Sequence, residues 1–216
     1  MSLLSTKSNS RAVKSFSFFT KEQLQLLKKL NTPAKIQDFL EALKINFGDT
    51  CMSPKKTLEK RKAHCFEGAL LAAAILRFHG HKPLVVDLKA TNKDQDHVIA
   101  VFRQDGLWGA ISKTNHAVLR YRDPIYRDIR ELIISFFNEY FLDDGKKTLR
   151  SYSSLVNLSR FDKLNWMTSE KSLDYIAEFI DKVSHKSILN RKMIFSLRKA
   201  DLIERKVSKF TQWKKK

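Results

Sequence analysis

Residues 62–80, KAHCFEGALLAAAILRFHG, hold the longest apolar run of this chain, at 69–76, with one cysteine shortly ahead of it. The run is rich in residues that favour helices and is closed by Gly80, so the sequence predicts a helix that starts at Cys65. A helix that spans a bilayer needs about 20 apolar residues. The run is much shorter, and we therefore expect a globular chain with no membrane partner.

The composition fits a single packed core, because 216 residues with 43% hydrophobic content are typical of one domain. Residues 1–17 lack the apolar segment of a secretory signal. Cys51 and Cys65 are the only cysteines, so no disulfide framework is implied. These features predict a cytoplasmic protein.

Three parts are expected along the chain. Residues 1–17 are predicted to be disordered, although FSFF at 16–19 is expected to dock on the domain, which spans 18–184. Residues 185–216 carry eleven Lys or Arg against two acidic residues, in a chain whose net charge is +18. This basic tail is either a solvated segment or a weak contact for a polyanion, such as nucleic acid or an acidic protein.

The first third of the domain is predicted to be helical. Thr20 and Gln23 form a capping box. Thr32 and Pro33 open a second helix, which is expected to continue to Gly48. The charged segment 49–63 is interpreted as a loop that leads to the cysteine helix.

The next part of the chain is rich in strand signals. Strands are predicted at 83–88, 97–102 and 107–112, with a fourth at 117–121. Asp105 and Gly106 predict a hairpin between the second and third of these strands.

Helices are expected again towards the carboxyl end. Pro124 is expected to open a helix, and Thr168 or Ser169 to cap another. The order of helices, antiparallel sheet and further C-terminal helices predicts an α+β fold.

Cys65 is the candidate nucleophile. A thiol at the first turn of a helix meets unpaired N–H groups that favour negative charge, and a neighbouring imidazole would favour the thiolate further. His97 is the best placed histidine, because it opens a strand whose next residues are apolar. His64 adjoins Cys65 in sequence but need not face it. The alternative is that Cys65 is an ordinary buried residue.

The predicted hairpin indicates what orients His97. Its register places residues 112–114 opposite His97, so Ser112, Lys113 and Thr114 are candidates, with Asn115 just beyond. An acid or amide is the usual partner of a catalytic imidazole. Asn115 is therefore the better partner by chemistry and Ser112 the better partner by geometry.

These residues resemble the transglutaminase-like superfamily, a branch of the papain-like cysteine fold. The likeness rests on HCFEGALLAAAILRFHG with Cys65, DHVIAVF with His97 and GLWGAIS with Trp108, and it covers about residues 33–115. It implies a nucleophile helix packed on an antiparallel sheet, with Cys65 as nucleophile and His97 as base. The aspartate of the family, four residues after the tryptophan, falls on Ser112 here.

The resemblance implies an enzyme that acts on an amide bond of a peptide or protein through a thioester, by hydrolysis or acyl transfer. No cofactor or metal site is expected, since the Cys and His spacing matches no zinc pattern. The alternative is a non-catalytic binding module of this fold that uses the basic tail. The sequence gives no indication of the oligomeric state.

Overall fold

The computed structural model describes residues 16–214. Most of the segment predicted to be disordered, residues 1–15, lies outside the described residues. Phe16 and Phe19 are buried in the core while Phe18 is exposed, which confirms that this stretch docks on the domain. None of the helices within the described range is both long and apolar enough to cross a membrane.

The helices lie mainly before and after the sheet strands. The α-helices are α1 (Lys21–Lys29), α2 (Pro33–Ala42), α3 (Pro54–Lys60), α4 (Cys65–Phe78), α5 (Ile129–Ile134), α6 (Asp174–Lys182), α7 (Arg191–Phe195) and α8 (Leu202–Ser208). Two 3₁₀ helices span Phe137–Glu139 and Leu158–Leu164. The predicted capping box is confirmed, because Thr20 and Gln23 exchange hydrogen bonds between side chain and backbone at the start of α1.

The strands form one large antiparallel sheet and one short parallel pair. They are β1 (Lys44–Ile45), β2 (Lys62–Ala63), β3 (Leu84–Lys89), β4 (His97–Gln104), β5 (Leu107–Ile111), β6 (Arg122–Tyr126), β7 (Ser151–Ser153), β8 (Val156–Asn157) and β9 (His185–Ser187). The sheet order is β6-β5-β4-β3-β7-β9, β8 also pairs with β3, and β1 pairs with β2 in parallel. The predicted α+β class with a mostly antiparallel sheet is confirmed.

The β4–β5 hairpin has the turn that the sequence predicts. Asp105 and Gly106 both have positive φ, 50° and 84°, as a two-residue turn of type I′ requires. The register pairs Ala100 with Ile111, which brings the residues after β5 towards His97.

Apolar residues cover both faces of the sheet. Helix α4 is buried over most of its length, and it packs with one set of strand residues that includes Val85, Val98 and Phe102. The alternate residues Ile99 and Val101 pack in a second core with α5. The alternation follows from the two-residue period of a strand.

Three predicted elements differ from the structure. The strand predicted at 117–121 is irregular, and the strand in this part of the chain begins at Arg122. The segment interpreted as a charged loop holds α3, whose start is capped by Ser53 and Pro54. Pro124 lies in β6, at the edge of the sheet, where a residue without an N–H is tolerated. The following helix, α5, begins after Asp128, whose side chain accepts a hydrogen bond from the Glu131 N–H.

Two predicted helix boundaries are also wrong. Helix α2 ends at Ala42, well before Gly48, because Leu43 is extended and leads into β1. Helix α6 begins at Asp174 and not near Thr168 or Ser169. The segment predicted as a basic tail begins with β9, which pairs with β7 at the sheet edge.

Candidate functional site

Cys65 is the first residue of α4, and β2 holds it in place. The short parallel pair joins Ala63 to Ile45, and His64 then turns the chain into the helix in an extended conformation. Cys65 as a residue is half-buried. Its sulfur therefore lies at the positive end of a helix, where negative charge is favoured.

The imidazoles of His64 and His97 both lie near the Cys65 sulfur. Burial by itself raises the pKa of Cys65, but its interactions with the two rings outweigh burial and lower the pKa from 9.0 to about 5. At neutral pH the side chain is thus a thiolate. Cys51 is the opposite case, because burial and the nearby Asp174 raise its pKa to about 12.

Ser112 holds the far side of the His97 ring. Its Oγ lies 2.7 Å from His97 Nε2 and donates its hydrogen to the Leu119 carbonyl at 2.6 Å. A hydroxyl has one hydrogen to give, so Ser112 accepts a hydrogen bond from His97 Nε2–H. The other ring nitrogen, Nδ1, is left for the sulfur.

The His64 ring is also held at Nε2 by a hydrogen-bond partner, which the sequence did not predict. Its Nε2 lies 2.5 Å from the Thr50 carbonyl, which can only accept, and 3.8 Å from Glu67 Oε1. Burial lowers the pKa of His64, but the hydrogen bond to Cys65 and the charge of Glu67 raise it from 6.5 to about 9. His64 is therefore an imidazolium beside the thiolate at neutral pH.

The Glu67 carboxylate organises the loop around this imidazolium. It is fully buried and accepts hydrogen bonds from the backbone N–H groups of His64 and Met52, both at 3.1 Å. It also accepts from Asn46 Nδ2 and from the Thr50 hydroxyl at 2.6 Å. A charge buried at this depth needs such partners. The loop after β1, the helix start and His64 thus form one connected unit.

Of the other candidates near His97, Asn115 bonds to the C-terminal segment. Its Nδ2 donates to the Trp213 carbonyl and its Oδ1 accepts from the Trp213 N–H, at 2.9 and 2.8 Å. Lys113 is buried, and its Nζ donates to the Leu43 carbonyl at 2.6 Å. Burial and the charge of Arg120 lower the pKa of Lys113 to about 8.

Trp108 lies away from the thiol. It packs with the second core, and the Arg103 guanidinium lies over its ring at 5.8 Å.

The thiol and both histidines line a cleft of about 830 Å³. Residues 45–49 form one wall, and residues 113–116 with 139–141 form another. Ser208 and Lys209, at the end of α8, lie at the rim. A volume of this size can accommodate a short peptide segment or a drug-sized molecule.

Among the residues from 16 to 214, three carboxylates are close enough to share a metal ion. They are Asp87, Asp96 and Asp181, with oxygens within 4.8 Å of one another. The Lys89 ammonium forms ion pairs with Asp96 at 2.5 Å and with Asp181 at 3.0 Å. The Lys89 ammonium thus already neutralises part of the negative charge of these three carboxylates.

Comparison of the chain with models of known protein families and with curated protein sequences gave no match.

Proposed function

We propose that this chain is a thiol enzyme of the transglutaminase-like type, which acts on an amide bond through a thioester. The observation that carries the proposal is that Cys65, at the start of α4, lines one cleft together with His64 and His97, whose rings lower the pKa of its thiol. A thiolate that is stabilised at neutral pH and reachable from a cleft is the property that a cysteine nucleophile needs.

In the first half of the proposed reaction, the Cys65 thiolate attacks the carbonyl carbon of an amide. The C–N bond breaks as the protonated His97 gives its Nδ1 proton to the departing amine, which leaves a thioester on Cys65. In the second half, water or an amine attacks the thioester, His97 removes a proton from it, and the thiolate is released.

The neighbouring groups have supporting roles. His64 keeps a positive charge beside the sulfur, because Glu67 and the Thr50 carbonyl hold its other side. Ser112 positions His97 through Nε2. The Cys65 N–H belongs to the first helical turn, has no acceptor within the helix, and would contribute to an oxyanion hole.

A papain-like arrangement of this α+β fold is part of the proposal. It is supported by the order of the elements, with the cysteine at the start of a buried helix and the histidine at the start of a strand in an antiparallel sheet. A serine in place of the aspartate leaves His97 without an anionic partner at Nε2. Within this proposal His64 supplies an additional charge on the thiol itself.

Alkylation by iodoacetamide at pH 7 tests the thiolate, with the labelled residue identified by mass spectrometry. We expect Cys65 to react far faster than Cys51, because only Cys65 is deprotonated at this pH. His64→Gln and His97→Gln should each slow the labelling of Cys65. His79→Gln is the matched control, since that partly buried ring contacts the Leu27 carbonyl at the other end of α4.

Acylation by p-nitrophenyl acetate tests the covalent step. We expect a burst of about one equivalent of p-nitrophenol, with the acetyl group found on Cys65 and no burst from Cys65→Ser. His97→Gln should slow the release of the acetyl group. Equal, slow labelling of both cysteines together with the absence of an acetyl adduct would refute the thiol enzyme.

A non-catalytic binding module is the second candidate, and the neutral partner of His97 favours it. Ser112 cannot stabilise an imidazolium as an aspartate does, and Lys and Arg are concentrated in the C-terminal segment. This candidate predicts slow labelling of Cys65 and retention on heparin that falls with salt. Fast labelling of Cys65 and the burst would contradict it.

A further inference from the structure

Large apolar side chains are exposed together in the C-terminal segment. Of thirteen such side chains exposed in residues 16–214, seven lie between positions 193 and 210. We call them the apolar face: Met193, Ile194, Phe195, Leu202, Ile203, Val207 and Phe210. The most exposed are Phe195 at 89%, Phe210 at 70% and Ile203 at 69%. Exposure of so many apolar residues in one short segment marks an interaction site.

The opposite side of this segment is fixed to the domain. Ala200 is buried, and its N–H donates to the Gly145 carbonyl at 2.9 Å. Arg205 Nη1 donates to the Asp143 carbonyl at 3.3 Å. Thr211 forms a β-bridge with His116. The segment is therefore anchored by its polar and small residues, and the seven apolar side chains are left exposed.

The charge around the apolar face is positive. Residues 190–214 contain eight Lys or Arg and only two acidic residues, Asp201 and Glu204. Both acids serve the start of α8, where Asp201 accepts from the Ile203 and Glu204 N–H groups and Glu204 accepts from the Asp201 N–H. Lys192, Lys199 and Lys206 are exposed. A partner with negative charge beside an apolar layer matches this surface.

We propose that the apolar face docks on the surface of a membrane that carries anionic headgroups. Its apolar side chains would enter the boundary between headgroups and acyl chains, while the neighbouring lysines and arginines contact phosphate and carboxylate groups. Docking at the surface requires no spanning helix. The expectation of no membrane partner considered only spanning segments, and the proposal concerns the membrane surface alone.

Two observations favour a lipid surface over other anionic partners. Five of the seven side chains are aliphatic or Met, and these cannot stack on nucleic-acid bases as aromatic rings do. In addition, none of the seven side chains lines the cleft at Cys65. Exposed apolar groups can enter a fluid lipid layer without a complementary pocket.

Sedimentation with vesicles tests the proposal on the full chain. We compare vesicles of phosphatidylcholine alone with vesicles that contain about 30 mol% phosphatidylserine. Binding is expected to the anionic vesicles only and to weaken as salt is raised from about 0.1 to 0.5 M, because salt screens exposed charges. Equal binding to both vesicles, or no binding to either, would overturn the proposal.

Three double variants separate the contributions. Phe195→Ser with Ile203→Ser should abolish vesicle binding, whereas Phe18→Ser with Ile125→Ser, at two similarly exposed positions elsewhere, should not. Lys199→Gln with Lys206→Gln should weaken binding about 25-fold, at about fivefold per cation.

Other occupants of the apolar face give distinct results. If the lysine variants lose heparin binding while the chain ignores vesicles, the partner is a soluble polyanion. If Phe195→Ser with Ile203→Ser converts a dimer to a monomer in size-exclusion chromatography, the face joins two copies of the chain. Either result would overturn the lipid proposal.

Discussion

The hydroxyl of Ser112 lies 2.7 Å from Nε2 of His97 and is itself tied to the Leu119 carbonyl. The direction of both hydrogen bonds follows, because the serine hydrogen is already used. His97 therefore carries a proton on Nε2 and presents Nδ1 to the sulfur. Nδ1 is therefore the ring nitrogen through which His97 would exchange a proton in the proposed reaction.

Replacing Ser112 should affect both stability and chemistry. Ser112→Ala leaves the buried Nε2–H and the Leu119 carbonyl without their partner, which should lower the free energy of unfolding by about 1–3 kcal/mol. It should also slow release of the acetyl group from Cys65 by at least about tenfold. Urea unfolding and the p-nitrophenyl acetate assay measure the two effects.

Ser153→Ala is the matched control for this prediction. Ser153 is equally buried, and its Oγ accepts from the Asp87 N–H at 2.9 Å. The control should lose stability without a change at Cys65. Normal acetyl release from Ser112→Ala would show that Ser112 does not position His97.

The labelling of Cys65 should depend on pH at the acidic end. Only the thiolate reacts, so the rate should be constant at neutral pH and fall with a midpoint near pH 5, the pKa of Cys65. His64→Gln should move this midpoint to higher pH. Alkylation rates at a series of pH values measure it, and a wild-type rate that rises through pH 8–9 would contradict the prediction, because a thiol with an ordinary pKa of about 8.5 behaves in that way.

The shifted pKa values of Cys65 and His64 should also make the free energy of unfolding depend on pH. Because the pKa of Cys65 is lowered on folding, the thiolate stabilises the fold fully at a pH above 9.0, the ordinary pKa of the thiol. This contribution is lost as pH falls through 5. The raised pKa of His64 stabilises the fold below 6.5, and this contribution is lost as pH rises through 9. Between pH 6.5 and 9 the stabilisation by Cys65 grows with pH while that by His64 declines, so the two changes in the free energy of unfolding cancel.

The difference in free energy of unfolding between the wild type and Cys65→Ser isolates this effect. It should shrink by about 2 kcal/mol as pH falls from 6.5 to 5, because the folded thiolate becomes protonated over this range. Urea unfolding at each pH measures it. A difference that does not vary between pH 5 and 7 would mean that the folded thiol is protonated.

Gly68→Ala should destabilise the chain, although it lies in a helix. Alanine normally stabilises a helix interior by about 1 kcal/mol relative to glycine. A Cβ at position 68 would lie only 2.4 Å from Lys113 Cβ, and such overpacking costs about 1–3 kcal/mol. Urea unfolding measures the net change. Because Lys113 follows Ser112, the labelling of Cys65 should also slow, and a more stable variant with unchanged labelling would contradict the prediction.

Local signals in the sequence predicted the elements that local interactions form. The capping box at Thr20 and the turn at Asp105 and Gly106 each depend on residues within a few positions of one another. The position of Cys65 at a helix start is of the same kind. Ser53 and Pro54 carried a similar signal for α3, and the surrounding charges obscured it.

The parts that the sequence did not predict depend on contacts between distant residues. His64 faces Cys65 because the Thr50 carbonyl holds its ring, and this loop is shaped by Glu67, 17 positions further along the chain. The Asn115 side chain is hydrogen bonded to the backbone of Trp213, 98 residues away. No periodicity or short motif contains such information.

Helix α8 has a role on each of its sides. Ser208 and Lys209 at its end border the cleft, its outer side carries Ile203 and Val207, and the contact of Ala200 with Gly145 lies just before its start. A seven-residue helix thus carries exposed apolar side chains and ends at residues that line the cleft. A partner held on those side chains would therefore lie within a few residues of the cleft that contains the thiol.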